Sequence, residues 1–261
     1  MMEEIFLRRI QVHNDDSIAS IITRLAKVNH CPINWLVKEL IGYVKPDNTL
    51  PLTINFIKNN QLVHNISKIS GLSEDVIWSS SLNKYSKEPW NITMDDLRDN
   101  RTSNGFLTIN RSKFCPKCLS EGTYQRLFWH IDPLKICVKH RTILLSKCPN
   151  CGEKTSAFSV STGECMKRNH SLLNISANLI DNVATLNNQK RIYQAINNYD
   201  TVNNPKLFNG LMACDFLHLN RFLDEMHVDT DKKNSEDNKI DFHDESYKDW
   251  PNSVHHTIIN S

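Results

Sequence analysis

Apolar residues in the first part of the chain recur at the spacing of amphipathic helices. Behind the polar cluster at residues 15–17, apolar side chains fall at i, i+3, i+4, i+7 and i+8 over residues 18–26. They share one face of a helix, because one helical turn takes 3.6 residues. A second apolar stripe covers residues 33–41 behind Pro32, which suits a first helical turn. The pattern predicts two short helices joined by a turn at residues 29–31.

A second helical pair follows the first. Leu62, Ile66 and Ile69 lie on one predicted helical face, and Gly71 predicts the end of that helix. The sequence Ser-Glu-Asp at residues 73–75 then predicts the start of another helix. Two short helices with a glycine in the turn are typical of a helix-turn-helix, and equally of any helical hairpin. The sequence leaves both interpretations open.

The pattern changes in the middle of the chain and returns to helices afterwards. Residues 124–131 and 142–146 are predicted to form short strands. Residues 176–198 and 205–227 are predicted to be helical, and the second stretch carries a stripe of leucine, phenylalanine and methionine. Residues 228–249 are polar and acidic, which indicates a linker.

Six of the eight cysteines lie between residues 115 and 170. They form two C-x-x-C pairs, each followed by a further cysteine and a histidine. A C-x-x-C turn brings two sulfurs close enough to hold one tetrahedral Zn²⁺, and a second pair of ligands completes the shell. The spacing predicts two structural zinc ions. The ligands of the first are Cys115, Cys118, Cys137 and His140, and those of the second are Cys148, Cys151, Cys165 and His170.

Other interpretations of these residues exist. The cysteines could pair as disulfides or pack in a core, and His130 is a competing imidazole within the apolar run at residues 127–131. A histidine in such a run is more often a packed residue than a ligand. A catalytic zinc keeps one position for water, whereas each predicted shell uses four protein ligands. A zinc hydrolase or nuclease is therefore the weaker interpretation.

Charge and hydropathy bear on three further classes of protein: DNA-binding, membrane-spanning and secreted proteins. The net charge is +2, with nine basic and four acidic residues at 115–170 and eight basic and thirteen acidic residues at 171–261. The middle region is mildly basic, although a dedicated DNA-binding domain is usually more so. No stretch reaches the roughly 18 apolar residues that span a membrane. The N-terminus has acids where a signal peptide needs bases, which predicts a cytoplasmic protein with reduced cysteines.

These elements predict a mostly α-helical fold with a small β zinc-ribbon module. Residues 1–107 are predicted to form a helical, helix-turn-helix-like domain. Residues 108–171 are predicted to form the double zinc-binding ribbon. Residues 172–261 are predicted to form a C-terminal helical region that contains the acidic linker at 228–249.

Several stretches resemble the TniQ family of transposition proteins. Residues 17–29 are similar to the N-terminal signature of the family, with Ile21 where an aromatic residue is usual. Residues 69–77 resemble its glycine-centred helix pair, and residues 249–251 (Asp-Trp-Pro) resemble a later element. The cysteine block is the most specific part. Many members close the second site with a cysteine, where this chain has His170.

The resemblance implies a non-enzymatic adaptor in DNA transposition. Such an adaptor links an RNA-guided Cascade complex of a CRISPR-associated transposon to a TnsC-like AAA+ ATPase and the transposase. The resemblance also implies a homodimer in a prokaryotic cytoplasm that meets target DNA or guide RNA indirectly. TnsD-like members instead read a DNA attachment site themselves. A transcription factor with a helix-turn-helix and a zinc ribbon is a third interpretation.

An adaptor acts through its surfaces, and the zinc module offers candidates. Aromatic residues at 124–129 could anchor a partner, although strand packing is the more ordinary role. Basic side chains could contact nucleic-acid phosphates or an acidic partner. These candidates are Lys117, Arg126, Lys135, Lys139, Arg141, Lys167 and Arg168.

Overall fold

The computed structural model of the 261-residue chain describes residues 8–42, 53–57, 60–85, 107–108 and 111–197. Within these ranges the protein is mostly helical with one small two-stranded sheet, which confirms the predicted fold class. The predicted helix at 205–227, the linker at 228–249 and the element at 249–251 lie outside the described residues. The helices are α1 (Ile18–Val28), α2 (Ile33–Ile41), α3 (Asn60–Ser70), α4 (Glu74–Ser79), α5 (Pro116–Glu121), α6 (Ala157–Thr162) and α7 (Val183–Asn197).

The first helical pair forms as its sequence predicts. The Ser17 hydroxyl accepts a hydrogen bond from the Ser20 N–H and caps α1, whose apolar face is buried. The chain turns at His30, which has φ of 55°, and Pro32 precedes the first residue of α2. Gly42 ends α2 in the left-handed conformation. Local capping signals and one apolar stripe thus fix both helices and the turn between them.

The second pair turns at a glycine that no other residue could replace without strain. Gly71 has φ of 69°, and a Cβ atom there would lie 2.9 Å from the Arg9 guanidinium carbon. The Ser73 hydroxyl accepts a hydrogen bond from the Val76 N–H and caps α4. Ile77 of α4 is fully buried with the apolar face of α3. The predicted stop at Gly71 and start at residue 73 are both confirmed.

The middle of the chain differs from the sequence-based expectation at several elements, since helices α5 and α6 and strand β1 (Ile136–Cys137) lie outside the predicted helices and strands. Strand β1 pairs with β2 (Thr142–Ile143) in an antiparallel hairpin, and only β2 falls within the predicted strand at 142–146. The predicted strand at 124–131 is wrong, because Leu127–His130 forms a turn of 3₁₀-helix. Its two ends form only isolated antiparallel bridges, Arg126 with Asp16 and Ile131 with Leu107, and the Leu127 N–H donates to the Asp15 carbonyl. Tertiary contacts therefore override a run with high strand propensity.

Two apolar clusters make up the core. One gathers α1 to α4 around Ile18, Leu25 and Ile66, and the other surrounds the cysteines of the hairpin region. Helix α6 belongs to the first cluster although it lies late in the chain, because Ala157 and Phe158 pack against the N-terminal helices. The domain boundaries at 107 and 171 stay predictions. The packing shows that segments on both sides of residue 107 share one core.

A buried polar network joins the same two regions at a second place. The Asn55 Oδ1 accepts from the Ala19 N–H at 2.9 Å, and its Nδ2 lies 2.9 Å from His130 Nε2 and 3.3 Å from Gln125 Oε1. His130 Nδ1 faces the Thr108 carbonyl at 2.8 Å. Only a donor can meet a carbonyl, so the Nδ1 carries the proton and Nε2 accepts from Asn55. The network is complete only with neutral His130.

Helix α7 closes the far side of the second cluster. Ile192, Ala195 and Ile196 pack into that cluster. The Gln189 side chain accepts hydrogen bonds from the backbone N–H groups of Lys135 and Ile136 and donates to the Pro133 carbonyl. These bonds fix the segment that leads into β1. The helix occupies the C-terminal part of the predicted helical stretch at 176–198.

Candidate metal centres and contact surfaces

Four predicted ligands converge into the first cluster. The ligand atoms of Cys115, Cys118, Cys137 and His140 all lie within 4.8 Å of one another. The His140 Nδ1 lies 3.4, 3.3 and 3.6 Å from the sulfurs of Cys115, Cys118 and Cys137, and the last two sulfurs are 3.6 Å apart. The three cysteines are buried and the histidine is half-buried.

These distances fit the shell of one tetrahedral ion. With Zn–S bonds of about 2.3 Å and Zn–N bonds of about 2.0 Å, a tetrahedron places two sulfurs about 3.8 Å apart and a sulfur and a nitrogen about 3.5 Å apart. The observed separations are within a few tenths of an ångström of these values. The first cluster therefore has the donors, the spacing and the enclosure of a structural metal site, and all four donors would be used.

Local structure explains why the ligands meet. Cys115 precedes Pro116, the first residue of α5, so Cys118 lies one helical turn above it. Cys137 ends β1, and its carbonyl accepts from the Arg141 N–H at 2.7 Å, which folds the C-x-x-H segment back. Arg141 takes a φ of 54° to complete this turn. The helix start and the hairpin turn thus face each other across the cluster.

The close contact of the three thiols with one another favours a bound cation. Hydrogen bonding from Cys118 and Cys137 lowers the pKa of the Cys115 thiol, whereas the contact with Cys115 raises the pKa of Cys118. One thiolate at this place therefore disfavours a second. A bound dication removes this conflict, because it stabilises all three thiolates at once. The cluster is suited to a metal ion for electrostatic as well as geometric reasons.

The second cluster is looser. The ligand atoms of Cys148, Cys151 and His170 lie within 4.8 Å of one another, and the Cys148 sulfur is 3.9 Å from His170 Nδ1. The Cys165 sulfur lies 3.6 Å from that of Cys151 but does not belong to the mutually close group. Cys151 and His170 are only half-buried. The structure brings three of the four predicted ligands together and leaves the fourth beside them.

Tight loops hold the second cluster. The Gly152 N–H donates to the Cys148 carbonyl at 2.8 Å, and the Cys165 N–H donates to the His170 carbonyl at the same distance. The first loop turns at Gly152, with φ of 69°, and the second turns at Asn169, with φ of 54°. Between the two loops the chain passes through α6, which is packed on α1. All seven described cysteines are free thiols, so no disulfide competes with metal binding in this part of the chain.

The sequence profile of the TniQ family matches residues 7–144. This stretch is more than half of the chain and contains all four residues of the first cluster. The chain belongs to the TniQ family. Membership suggests a role in selecting the target of transposition. A search of curated proteins finds no match.

The stretch that matches the family contains the first cluster but not the second. It covers the N-terminal helices, α5 and the β1–β2 hairpin, and it ends before Cys148. The first cluster is thus part of the matched TniQ region, while the second lies in the sequence that follows it. None of the helices in the described part of this TniQ protein has the length and hydrophobicity needed to cross a bilayer.

The competing imidazole, His130, lies apart from both clusters. It is 1 % exposed, and its two ring nitrogens are occupied by Thr108 and Asn55. Burial lowers the pKa of His130 to about 4, which keeps the ring neutral at physiological pH. The structure therefore gives His130 a role in the buried network that joins the two cores.

The aromatic candidates at 124–129 are mostly interior. Trp129 is buried, and Phe128 packs edge-to-face on Tyr193 with ring centroids 5.2 Å apart. The Tyr124 hydroxyl donates to Asp15 at 3.0 Å. Arg126 pairs with the same carboxylate at 3.3 Å, stacks over the Tyr124 and Trp129 rings, and has a side chain that is only 12 % exposed. The role of Arg126 as a partner contact stays a prediction that the packing does not favour.

Most of the remaining basic candidates have acidic partners. Lys139 pairs with Glu121 at 2.6 Å, Arg141 pairs with Asp181 at 2.6 Å, and Lys135 pairs with Asp132 at 3.5 Å. Lys167 pairs with Glu153. Lys117 and Arg168 are exposed and form no ion pair with any residue in the described ranges. The exposed charge of this surface is therefore more balanced than the excess of basic residues at 115–170 indicates.

The helix-turn-helix-like pair α3–α4 presents acids where a DNA-reading helix presents donors. Glu74 and Asp75 are exposed in the first turn of α4, and Glu74 lies 3.4 Å from His64. The N-terminal residues of a recognition helix contact base edges between two phosphate backbones. Two carboxylates at that position would be repelled.

Two features of the metal region were missed by the sequence analysis. Glu121 lies 3.0 Å from His140 Nε2, and Asn55 lies at the centre of the buried network. Glu121 stands three residues after Cys118, outside the C-x-x-C spacing, and no helix was predicted there, so no sequence pattern pointed to it. Asn55 had none, because its partners are 70 and 75 residues away.

Proposed function

We propose that this TniQ protein is a non-enzymatic adaptor in DNA transposition whose middle region is built around two structural Zn²⁺ ions. The observation that carries the zinc part is the first cluster, in which three sulfurs and one imidazole nitrogen converge within 4.8 Å. The thiolate-rich donor set favours Zn²⁺ over the hard cations Mg²⁺ and Ca²⁺. The transposition part follows from family membership.

The ions would be structural because of how the shells are filled. Cys115, Cys118, Cys137 and His140 would hold the first ion, with four protein donors and no position for a reacting water. Cys148, Cys151, Cys165 and His170 would hold the second after a small movement of Cys165. Bound zinc would contribute folding free energy, since it would tie together chain turns that are distant in sequence.

The adaptor would link two partners of a transposition complex. One is the target-recognition device, a Cascade-type CRISPR ribonucleoprotein, and the other is a TnsC-like AAA+ ATPase that recruits the transposase. The protein would act as a homodimer and meet target DNA or guide RNA through these partners. The pairing of Lys139, Arg141 and Lys167 with acids supports this proposal, because independent DNA binding needs many free phosphate contacts.

Metal analysis and reconstitution test the two parts separately. Two zinc ions per chain are expected by mass spectrometry of the native protein, and one or none would contradict the zinc assignment. Pull-downs should recover the ribonucleoprotein and the ATPase, while the protein alone should shift bare DNA weakly. Tight binding of an attachment site by the protein alone would favour the TnsD-like alternative, and cleavage of DNA by the protein alone would reject the adaptor.

A further inference from the structure

The two nitrogens of the His140 ring have different tasks. Nδ1 faces the sulfurs of Cys115, Cys118 and Cys137 at 3.3 to 3.6 Å. Nε2, on the opposite side of the ring, lies 3.0 Å from Glu121 Oε1. A carboxylate oxygen accepts hydrogen bonds, so this contact places the ring proton on Nε2 and leaves the lone pair of Nδ1 directed at the cluster.

Glu121 is itself held in place. It is the last residue of α5, three positions after the ligand Cys118, so both side chains lie on one side of the helix. Its second oxygen accepts from the Lys139 ammonium group at 2.6 Å. Lys139 precedes His140 directly, and the carboxylate therefore joins α5, which carries Cys118, to the turn that carries His140.

We infer that Glu121 is a positioning residue of the first metal centre, which orients His140 and strengthens its bond to the ion. This inference rests on the proposed zinc. A carboxylate that accepts the second ring proton of a ligating histidine fixes the tautomer and raises the basicity of the donor nitrogen. Loss of such a partner typically weakens metal binding by about 10- to 100-fold.

The second cluster provides a matched control within the same chain. Glu153 forms an ion pair with Lys167, as Glu121 does with Lys139, and both carboxylates are partly exposed. No side chain of the described residues accepts a hydrogen bond from His170 Nε2. Glu153 thus has the lysine contact of Glu121 without the contact to a ligand ring. The two glutamates separate the effect of ring orientation from that of a surface ion pair.

Zinc release from the full chain tests the inference. The native protein, E121Q, E121A, E153Q and E153A are mixed with excess chromophoric chelator, and the release of the two ions is followed as two phases. In E121A one phase should accelerate by about 10- to 100-fold while the other stays unchanged. E121Q keeps an acceptor oxygen without the charge and should fall between. E153Q and E153A should release both ions at the native rates.

The ring itself gives a second readout. In ¹⁵N–¹H spectra of the histidine side chains, a zinc-bound histidine shows one metal-bound nitrogen and one N–H. The His140 Nε2–H proton should move and exchange faster with water in E121Q, and His170 should not change. A general loss of stability would not produce this selective change. If E121A fails to fold, E121Q with this spectrum still decides.

The failures are distinguishable. Release from E121A and E121Q at the native rates, with an unchanged His140 N–H signal, would overturn the role of Glu121 and leave the zinc assignment intact. Equal acceleration in E121A and E153A would also overturn it, since only the ion pair would then matter. A native protein that contains no zinc would instead refute the proposed function on which the inference rests.

Discussion

The two cysteine–histidine clusters have the same predicted donor set and are attached to the N-terminal helices in different ways. The chain between the two ligand pairs of the first cluster carries Gln125 and His130, which join Asn55 in a buried polar network. The corresponding chain of the second cluster carries Phe158, which enters the apolar core beside α1. Both intervening segments thus dock on the N-terminal part of the chain through apolar burial, and the first adds a buried polar network to it.

This difference matters because the two kinds of contact fail under different conditions. Apolar burial scales with area and is insensitive to pH near neutrality. A buried network with a neutral histidine depends on the protonation state of one ring. The clusters also differ in exposure to solvent. The three cysteines of the first cluster are buried, whereas Cys151 of the second is half-buried. The clusters should therefore respond differently to mutation, acid and chelator.

The largest contrast is expected between Cys118→Ser and Cys151→Ser. Structural zinc contributes roughly 10 kcal/mol to folding, which approaches the whole stability of a domain. C118S removes a ligand from the enclosed cluster and should unfold α5 and the hairpin. C151S should cost the second ion and leave the first in place. Zinc content and circular dichroism of both variants measure the contrast.

Cys31→Ser is the control for this pair, because Cys31 is a free thiol outside both clusters. It should keep two zinc ions and native helicity. A C151S protein as unfolded as C118S would show that the clusters are equivalent in stability, and the comparison between them would fail.

The elements that the sequence predicted are those with local signals. Ser17, Ser73 and Gly71 cap or stop helices through contacts within a few residues, so the helical pairs followed from the sequence. Knuckle spacing also identified the residues that meet in the first cluster and three of the four in the second. The strand at 124–131 failed because its conformation depends on Asp15 and Thr108, which are distant in sequence. Asn55 and Glu121 could not be assigned, because each acts through a partner that spacing does not identify.

A substitution in α6 tests the apolar attachment. Phe158 is 2 % exposed, and Phe158→Ala should cost about 3–5 kcal/mol through lost burial and the cavity left against α1. The second ion should then be released faster, while the release of the first should change little. Chelator kinetics and hydrogen exchange of α1 measure both effects. Lys154→Ala, an exposed neighbour, is the control; an equal effect there would mean that α6 does not anchor the second cluster.

Acid tests the polar attachment. The pKa of His130 is lowered from 6.5 to about 4, so between these values the unfolded chain binds the proton that the folded chain excludes. Stability from this group is complete above pH 6.5 and is lost as the pH falls towards 4, by about 3 kcal/mol. Protonation would turn His130 Nε2 into a donor that faces the Asn55 Nδ2, which is also a donor. The Asn55 amide cannot turn its oxygen to the ring without losing the hydrogen bond from the Ala19 N–H.

NMR titration of the His130 ring in the native protein measures this shift directly, and a pKa near 6.5 would contradict it. His130→Gln supplies the second test, since a chain without this ring should lose the corresponding part of the pH dependence. Loss of zinc at low pH is common to both proteins. It therefore cancels when their stability curves are subtracted.

The smallest expected effect is a difference in zinc release between variants of the two surface ion pairs, Lys139–Glu121 and Lys167–Glu153. Lys139→Ala frees one oxygen of Glu121 but leaves the other to accept from His140 Nε2, so zinc release should accelerate less than in E121A. Lys167→Ala removes the pair with Glu153, which contacts no ligand ring, and should not change the rate of zinc release.

Exposed ion pairs contribute little to folding, so both variants should have the same midpoint temperature of unfolding as the native protein. Release rates and thermal unfolding are measured on the same samples. If K139A releases zinc as fast as E121A, the carboxylate of Glu121 alone is unable to hold the His140 ring. The orientation of His140 would then depend on the lysine and the carboxylate together.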